Sequence, residues 1–150
     1  MMHTLTIRPL QPADKSAWRA LWLAYLEFYQ QDLAPKVTDD LLERLLSENG
    51  HRALVAFEGD TMVGLVHYLF HDSTWSSQMT CYLEDLFVAP TLRGSGAGRK
   101  LIEAVYAAAD AEPRASGNVY WHTHDHNERA RLLYDRIGDL SDFVRYDRSR

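Results

Sequence analysis

Only one cysteine, Cys81, occurs in the 150 residues, so no disulfide can close within the chain. That excludes the disulfide-stapled scaffolds of secreted domains and makes a reducing, cytoplasmic setting the expectation. A basic block is missing too. The 16 lysines and arginines are scattered among 21 acidic residues, for a formal charge of −5. Clustered cations drive nucleic-acid binding, so no nucleic-acid partner is expected. Long apolar runs are also lacking. The opening Met1-Met2-His3-Thr4-Leu5-Thr6-Ile7-Arg8-Pro9 is too poor in apolar residues for a signal peptide. No stretch approaches the roughly 18–20 apolar residues that cross a bilayer, so no membrane partner is expected. What remains, 46% hydrophobic and 25% charged without repeats or low-complexity segments, is the composition of one globular domain spanning residues 1–150.

Hydrophobic periodicity divides that domain. Thr4-Leu5-Thr6-Ile7-Arg8 alternates as a strand, and Pro9 stops it. Asp14 stands where an N-cap belongs, ahead of a helix with Trp18, Leu21, Trp22, Tyr25, Phe28 and Tyr29 at three–four spacing. A second helix carries Leu41, Leu42, Leu45 and Leu46, with Thr38 or an Asp40/Glu43 box as its cap and Asn49-Gly50 as its stop. From Ala53 the period becomes two. Residues 53–57 and 62–70 flank Glu58-Gly59-Asp60 as a hairpin, and residues 81–88 form the next strand before Ala89-Pro90. Leu101, Ile102, Val105, Ala108 and Ala109 mark a helix, and residues 118–123 a strand. Asn127 caps a helix through Ala130, Leu133 and Ile137 that Gly138 closes at C′. Phe143-Val144-Arg145-Tyr146 reads as a last short strand. The order β-α-α-β-β-β-α-β-α-β predicts an α/β fold, a mixed sheet with helices on both faces.

The turn before the third helix carries the chemistry. Arg93-Gly94-Ser95-Gly96-Ala97-Gly98 follows a strand and opens a helix. The free N–H groups of a helix's first turn, with its macrodipole, attract phosphate. Gly94, Gly96 and Gly98 let a ligand approach the backbone, while Arg93, Arg99 and Lys100 add positive charge. Spacing excludes two other phosphate turns. There is no Gly-x-x-x-x-Gly-Lys-Ser/Thr run, and the alternating glycines do not make Gly-x-Gly-x-x-Gly.

Residues 88–102, containing Arg93-x-x-Gly96-x-Gly98, resemble the acyl-CoA-binding motif of the GNAT (GCN5-related N-acetyltransferase) family. Asn127-x-x-Ala130-x-x-Leu133-Tyr134-x-x-x-Gly138 resembles the motif that follows it. The resemblance runs from Ile7 to Tyr146, the N-terminal helices matching by position only. Residues 82–88 and the stretch from Val119 to Tyr146 are most similar to spermidine/spermine and fungal histone/polyamine acetyltransferases.

The resemblance implies a single GNAT domain with a splayed sheet and acetyl-CoA as co-substrate. Main-chain groups of Leu86, Phe87 and Val88 would bind the pantetheine arm, Arg93, Gly94, Ser95, Gly96, Ala97 and Gly98 the pyrophosphate with Arg99 nearby, and Asn127 would position the arm while capping its helix. Tyr134 matches the tyrosine that protonates the departing sulfur, and Glu84 the glutamate that serves as base. Asp85 is the alternative acid, or a contact for a cationic acceptor. Strand alternation places Tyr82, Glu84 and Leu86 on one face and Leu83, Asp85 and Phe87 on the other. The first helix borders the acceptor site in such folds, making Glu27, Tyr29 and Asp32 candidate contacts. The implied reaction is acetyl transfer to a primary amine of a small basic molecule, a polyamine or an amino-acid-like compound, by a homodimer. A protein lysine or N-terminal amine, or a non-catalytic acyl-CoA-binding regulator, is the alternative. One departure touches the acceptor side: Asp142-Phe143 stands where family members carry Gly-Phe.

Three other signals carry less. His122-Thr123-His124-Asp125-His126 is one residue short of the His-x-His-x-Asp-His pattern, and no metal is expected. The Trp18, Trp22, Tyr25 and Tyr29 stripe is either a helix face meeting the sheet or an aromatic cage for a cation. Cys81 has no sequence neighbour that would make it a nucleophile.

Overall fold

The computed structural model describes residues 4–150. Met1-Met2-His3, the start of the segment too poor in apolar residues for a signal peptide, lies outside the described residues. The chain runs through β1 (Leu5–Pro9), α1 (Lys15–Phe28), α2 (Pro35–Ser47), β2 (Arg52–Glu58), β3 (Thr61–Ser73), β4 (Ser76–Val88), α3 (Ala97–Ala111), β5 (Ala115–Tyr120) and α4 (Glu128–Ile137). The strands pair in chain order, antiparallel from β1 to β4 and parallel between β4 and β5.

Each face of the sheet buries its own core. Trp18, Leu21 and Trp22 of α1 and Leu41, Leu42 and Leu45 of α2 pack with Val55, Leu65 and Phe87 on one face. Leu101, Ile102, Val105 and Ala109 of α3 pack with Ala56, Val66, Cys81 and Leu83 on the other. β2 and β3 are covered on both sides, which is why their sequences read as apolar runs. α3 crosses closest at Gly64, where a Cβ would stand 2.9 Å from Leu101 Cδ1. Truncating one such buried leucine to alanine costs about 2–5 kcal/mol.

Several expectations are corrected. α2 starts at Pro35, with the proline at its first turn, so neither Thr38 nor Asp40 caps it. Thr38 is buried inside the helix, and Asp40 pairs with Lys36 one turn back at 2.7 Å. Asp14 makes no side-chain cap to α1. Its carboxylate turns back to accept from Gln11 N–H at 2.8 Å and from Arg8 at 2.7 and 3.0 Å. The hydrogen bonds from Arg8 hold this carboxyl below its ordinary range. Gly138 ends α4 in extended rather than left-handed backbone. It is small because of packing, since a Cβ there would stand 2.9 Å from Trp121 Cη2. The strand expected at Phe143–Tyr146 does not form. Leu140, Phe143, Val144 and Tyr146 are exposed, and among the described residues no strand pairs with the outer edge of β5. Without a partner ladder the backbone groups of that segment gain nothing from extension.

The correction with most bearing on function lies in β4. His67 pairs with Asp85 but Tyr68 pairs with Leu83, so Glu84 is an extra residue opposite the β3 ladder. Such a β-bulge reverses side-chain parity along one strand. Cys81 and Leu83 therefore face α3, whereas Phe87 faces α1, and the predicted single alternation through Leu83, Asp85 and Phe87 does not hold.

Candidate active site

Pairing between β4 and β5 ends at Tyr82↔Tyr120, so among the described residues no strand pairs with the segment from Leu83 to Val88 on that side. The hydrogen-bonding phase of this edge is set by Ala89 N–H, which donates to Val63 O at 2.7 Å. Alternation then points the main-chain groups of Asp85 and Phe87 toward β3 and those of Leu86 and Val88 outward. The three residues of the expected backbone site thus divide. Leu86 presents free groups and Val88 a free N–H, its carbonyl accepting from Arg93 Nε at 3.5 Å, while Phe87 contributes its ring to the α1 side.

The open edge runs into the glycine turn. Gly94 and Gly96 adopt φ of 85° and 88°, which side chains resist. A Cβ on Gly96 would meet nothing within 4 Å, and one on Gly94 only Arg129 Nη2 at 3.9 Å. The concavity is therefore open, and Ala97, buried, starts α3 behind it. Ser95 is tied back to Leu92 O through both its N–H and its hydroxyl. The Arg93 guanidinium lies over the Phe28 and Phe87 rings at 4.6 and 5.6 Å, and Arg99 pairs with Glu103 at 3.4 Å. The cation that reaches the turn is Arg129 of α4, which the sequence does not single out because nothing local places its helix there. Leu133 of the same helix stands 3.9 Å from the Cβ position of Gly98.

Asn127 caps α4, its Oδ1 accepting from Ala130 N–H at 3.4 Å. Tyr134 is half-buried with its ring edge-on to Trp121 at 5.5 Å. Burial, with a smaller contribution from neighbouring Tyr29, pushes this phenol above its ordinary pKa, so it keeps its proton at neutral pH. Between the end of α1 and the loop before α4 lies an open cleft of about 580 Å³, lined by Phe28, Tyr29, His124, His126, Asn127 and Arg129. Tyr29 is thus brought to the cleft. Glu27 and Asp32 are exposed, and among the described residues neither side chain hydrogen-bonds to a site residue.

Around the bulge two acids sit beside two histidines. Glu84, 42% exposed, lies 2.8 Å from His51 Nε2. Asp85, 17% exposed, lies 3.0 Å from the Nδ1 of fully buried His67 and accepts from the Tyr25 hydroxyl at 2.8 Å. Trp18 and Trp22 are buried against the sheet, so most of the aromatic stripe is a helix face, with Tyr25 and Tyr29 continuing it toward the site. Neither histidine was expected. His67, the one imidazole in the apolar run from Met62 to Phe70, was the available signal.

Burial pushes the Cys81 thiol up to about 11, which is the opposite of an activated nucleophile. His122 is within 3.2 Å of the Tyr82 hydroxyl and His124 stacks on His126. Among the described residues no three His, Cys, Asp or Glu side chains converge to hold a metal ion, and no helix is long and apolar enough to cross a membrane.

A model of the acetyltransferase (GNAT) family matches residues 15–139. The chain is 34% identical over 148 residues to a D-amino-acid N-acetyltransferase of Saccharomyces cerevisiae, covering 97% of this chain and 91% of that one. It is 37% identical over 81 residues to a thialysine N-epsilon-acetyltransferase of Bos taurus, covering 54% of this chain and 46% of that one. The crystal structure of a ribosomal-protein-alanine N-acetyltransferase from Brucella melitensis biovar Abortus 2308 superimposes with a TM-score of 0.82 at 22% identity, over 98% of this chain and all of that one.

Proposed function

The chain belongs to the acetyltransferase (GNAT) family, and from that premise we propose that it acetylates the primary amine of a small basic, amino-acid-like compound. The observation that carries this reading is the unpaired β4 edge leading directly into an open glycine turn at a helix N-terminus. That surface fits acetyl-CoA, the donor used by the family, which supplies an activated acetyl thioester when bound. The outward groups of Leu86 and the N–H of Val88 would take the amide-bearing arm, the N–H groups of Gly94, Gly96, Ala97 and Gly98 the pyrophosphate, and Arg129 would add charge where Arg93 and Arg99 are engaged by other groups. Asn127 would orient the arm from the start of α4.

Two proton transfers then fall to this chain's own residues. An ammonium must lose its proton before it is a nucleophile, and Glu84 at the open edge would accept it, directly or through water, with His51 beside it. The sulfur that departs must gain a proton, and Tyr134, kept protonated by burial, would give it. Two of the relatives are named for D-amino acids and thialysine, which supports a small amino-acid-like acceptor. The exposed Leu140, Phe143, Val144 and Tyr146 support pairing as a homodimer. The lone buried Cys81 suits a reducing cytoplasm. Calorimetry with acetyl-CoA, followed by CoA release across a panel of amines, tests the proposal. Sub-millimolar binding with turnover of small amines is expected, and absence of binding at that concentration overturns it.

A further inference from the structure

A tryptophan indole nitrogen can only donate a hydrogen bond. Trp18 Nε1–H points at His67 Nε2 from 3.0 Å, so that ring nitrogen is the acceptor and the imidazole proton resides on Nδ1. Nδ1–H in turn donates to Asp85 Oδ2 at 3.0 Å. The fully buried ring is thus fixed in one orientation, accepting at Nε2 and donating at Nδ1. The second carboxylate oxygen, Oδ1, accepts from the Tyr25 hydroxyl at 2.8 Å. Burial, and then the charge of Asp85, drive the Tyr25 phenol far above its ordinary pKa, so it serves only as a donor.

Asp85 is therefore a largely covered carboxylate held by a ring N–H and a phenol, and among the described residues no lysine or arginine pairs with it. A carboxylate in that state is oriented but not neutralised, and it gains most from a cation brought by something else. Glu84, one residue away, is more exposed and has a histidine beside it through which a proton can leave for water. We propose that Trp18, His67 and Tyr25 are positioning residues that hold the Asp85 carboxylate aimed as the receptor for a non-reacting cationic group of the acceptor, while Glu84 takes the proton from the reacting amine. This rests on the small basic acceptor proposed above and names what would select it: a second positive charge. The titratable groups facing Asp85 are His67 on β3, Tyr25 and Tyr29 on α1, and Glu84 and Tyr82 on its own strand.

The test compares lysine with norleucine, each as both enantiomers, because the pair differs by one ammonium group. Wild-type protein should favour lysine in kcat/KM by about tenfold or more. Tyr25→Phe and His67→Leu should each raise KM for lysine about tenfold, with kcat and the KM for acetyl-CoA within twofold. His67→Asn, whose amide nitrogen can occupy the Nδ1 position, should restore both the KM for lysine and the preference. If His67→Leu does not fold, Tyr25→Phe with His67→Asn carries the same contrast. Equal wild-type rates on lysine and norleucine, or an unchanged KM for lysine in Tyr25→Phe, would overturn the array. Wild-type protein that binds acetyl-CoA yet acetylates neither compound would remove the acceptor reading, and the array's role with it.

Discussion

Around the glycine turn the groups offered to a ligand are mostly main-chain ones: the outward edge of Leu86 and Val88 and the N–H groups of Gly94, Gly96, Ala97 and Gly98, with Arg129 reaching in from α4. Around Asp85, on the face toward α1, the groups are side chains whose partners come from distant parts of the chain, Trp18, Tyr25, His51 and His67. The first region needs residues that are small, and the second needs residues of particular chemistry in register. A backbone site tolerates change in most side chains and so suits a ligand shared by many relatives. A side-chain site can be rewritten one residue at a time, which suits a partner that differs among them.

That division can be broken experimentally, beginning where the two regions meet. Tyr134→Phe removes the proton donor and should lower kcat by about 10²–10⁴-fold, with acetyl-CoA affinity within twofold by calorimetry. Equal turnover would move the acid role to another residue. Glu84→Gln should lower kcat/KM for the amine about 10²-fold at neutral pH and remove the acid limb of its profile. Gly96→Ala forces a side chain into φ of 88°, a strain of about 1–2 kcal/mol. It should weaken acetyl-CoA binding about tenfold while leaving discrimination between amines intact; lost discrimination would mean the regions are not separate. Arg129→Ala should weaken acetyl-CoA severalfold, with the difference fading at high salt.

Asp14→Asn should have the smallest functional effect, since Asp14 anchors the entry to α1 rather than either site. Losing its charge-assisted pair should cost about 1–3 kcal/mol at neutral pH, read as a lower Tm with unchanged acetyl-CoA affinity. Because Arg8 depresses the folded carboxyl, this stabilisation is present above the ordinary carboxylate range and disappears as pH falls through the folded value. The Tm gap between variant and wild type should close accordingly in acid.

How much could be read from the sequence follows the same division. Glycine spacing, a capping asparagine and three–four or two-residue periods are local signals, and they located the turn at Arg93–Gly98, the α4 cap and the order of all elements but the last. The bulge at Glu84 leaves no mark of its own in a run such as Tyr82-Leu83-Glu84-Asp85-Leu86, because parity is counted only against the partner strand. His67 was visible as a residue but not as a partner of Trp18, because that contact joins α1 to β3. Gly138 was found for the wrong reason, since its smallness answers to the Trp121 ring and not to its own backbone angles.

The extra residue at Glu84 also acts as a joint between two independent frames of β4. On the side of the long β3–β4 hairpin, parity is locked to Cys81 and Leu83 under α3; on the other, to Phe87 under α1. The frame that feeds the glycine turn is thus counted from Asp85 onward, and the tip of the hairpin has no say in which side chains meet α1.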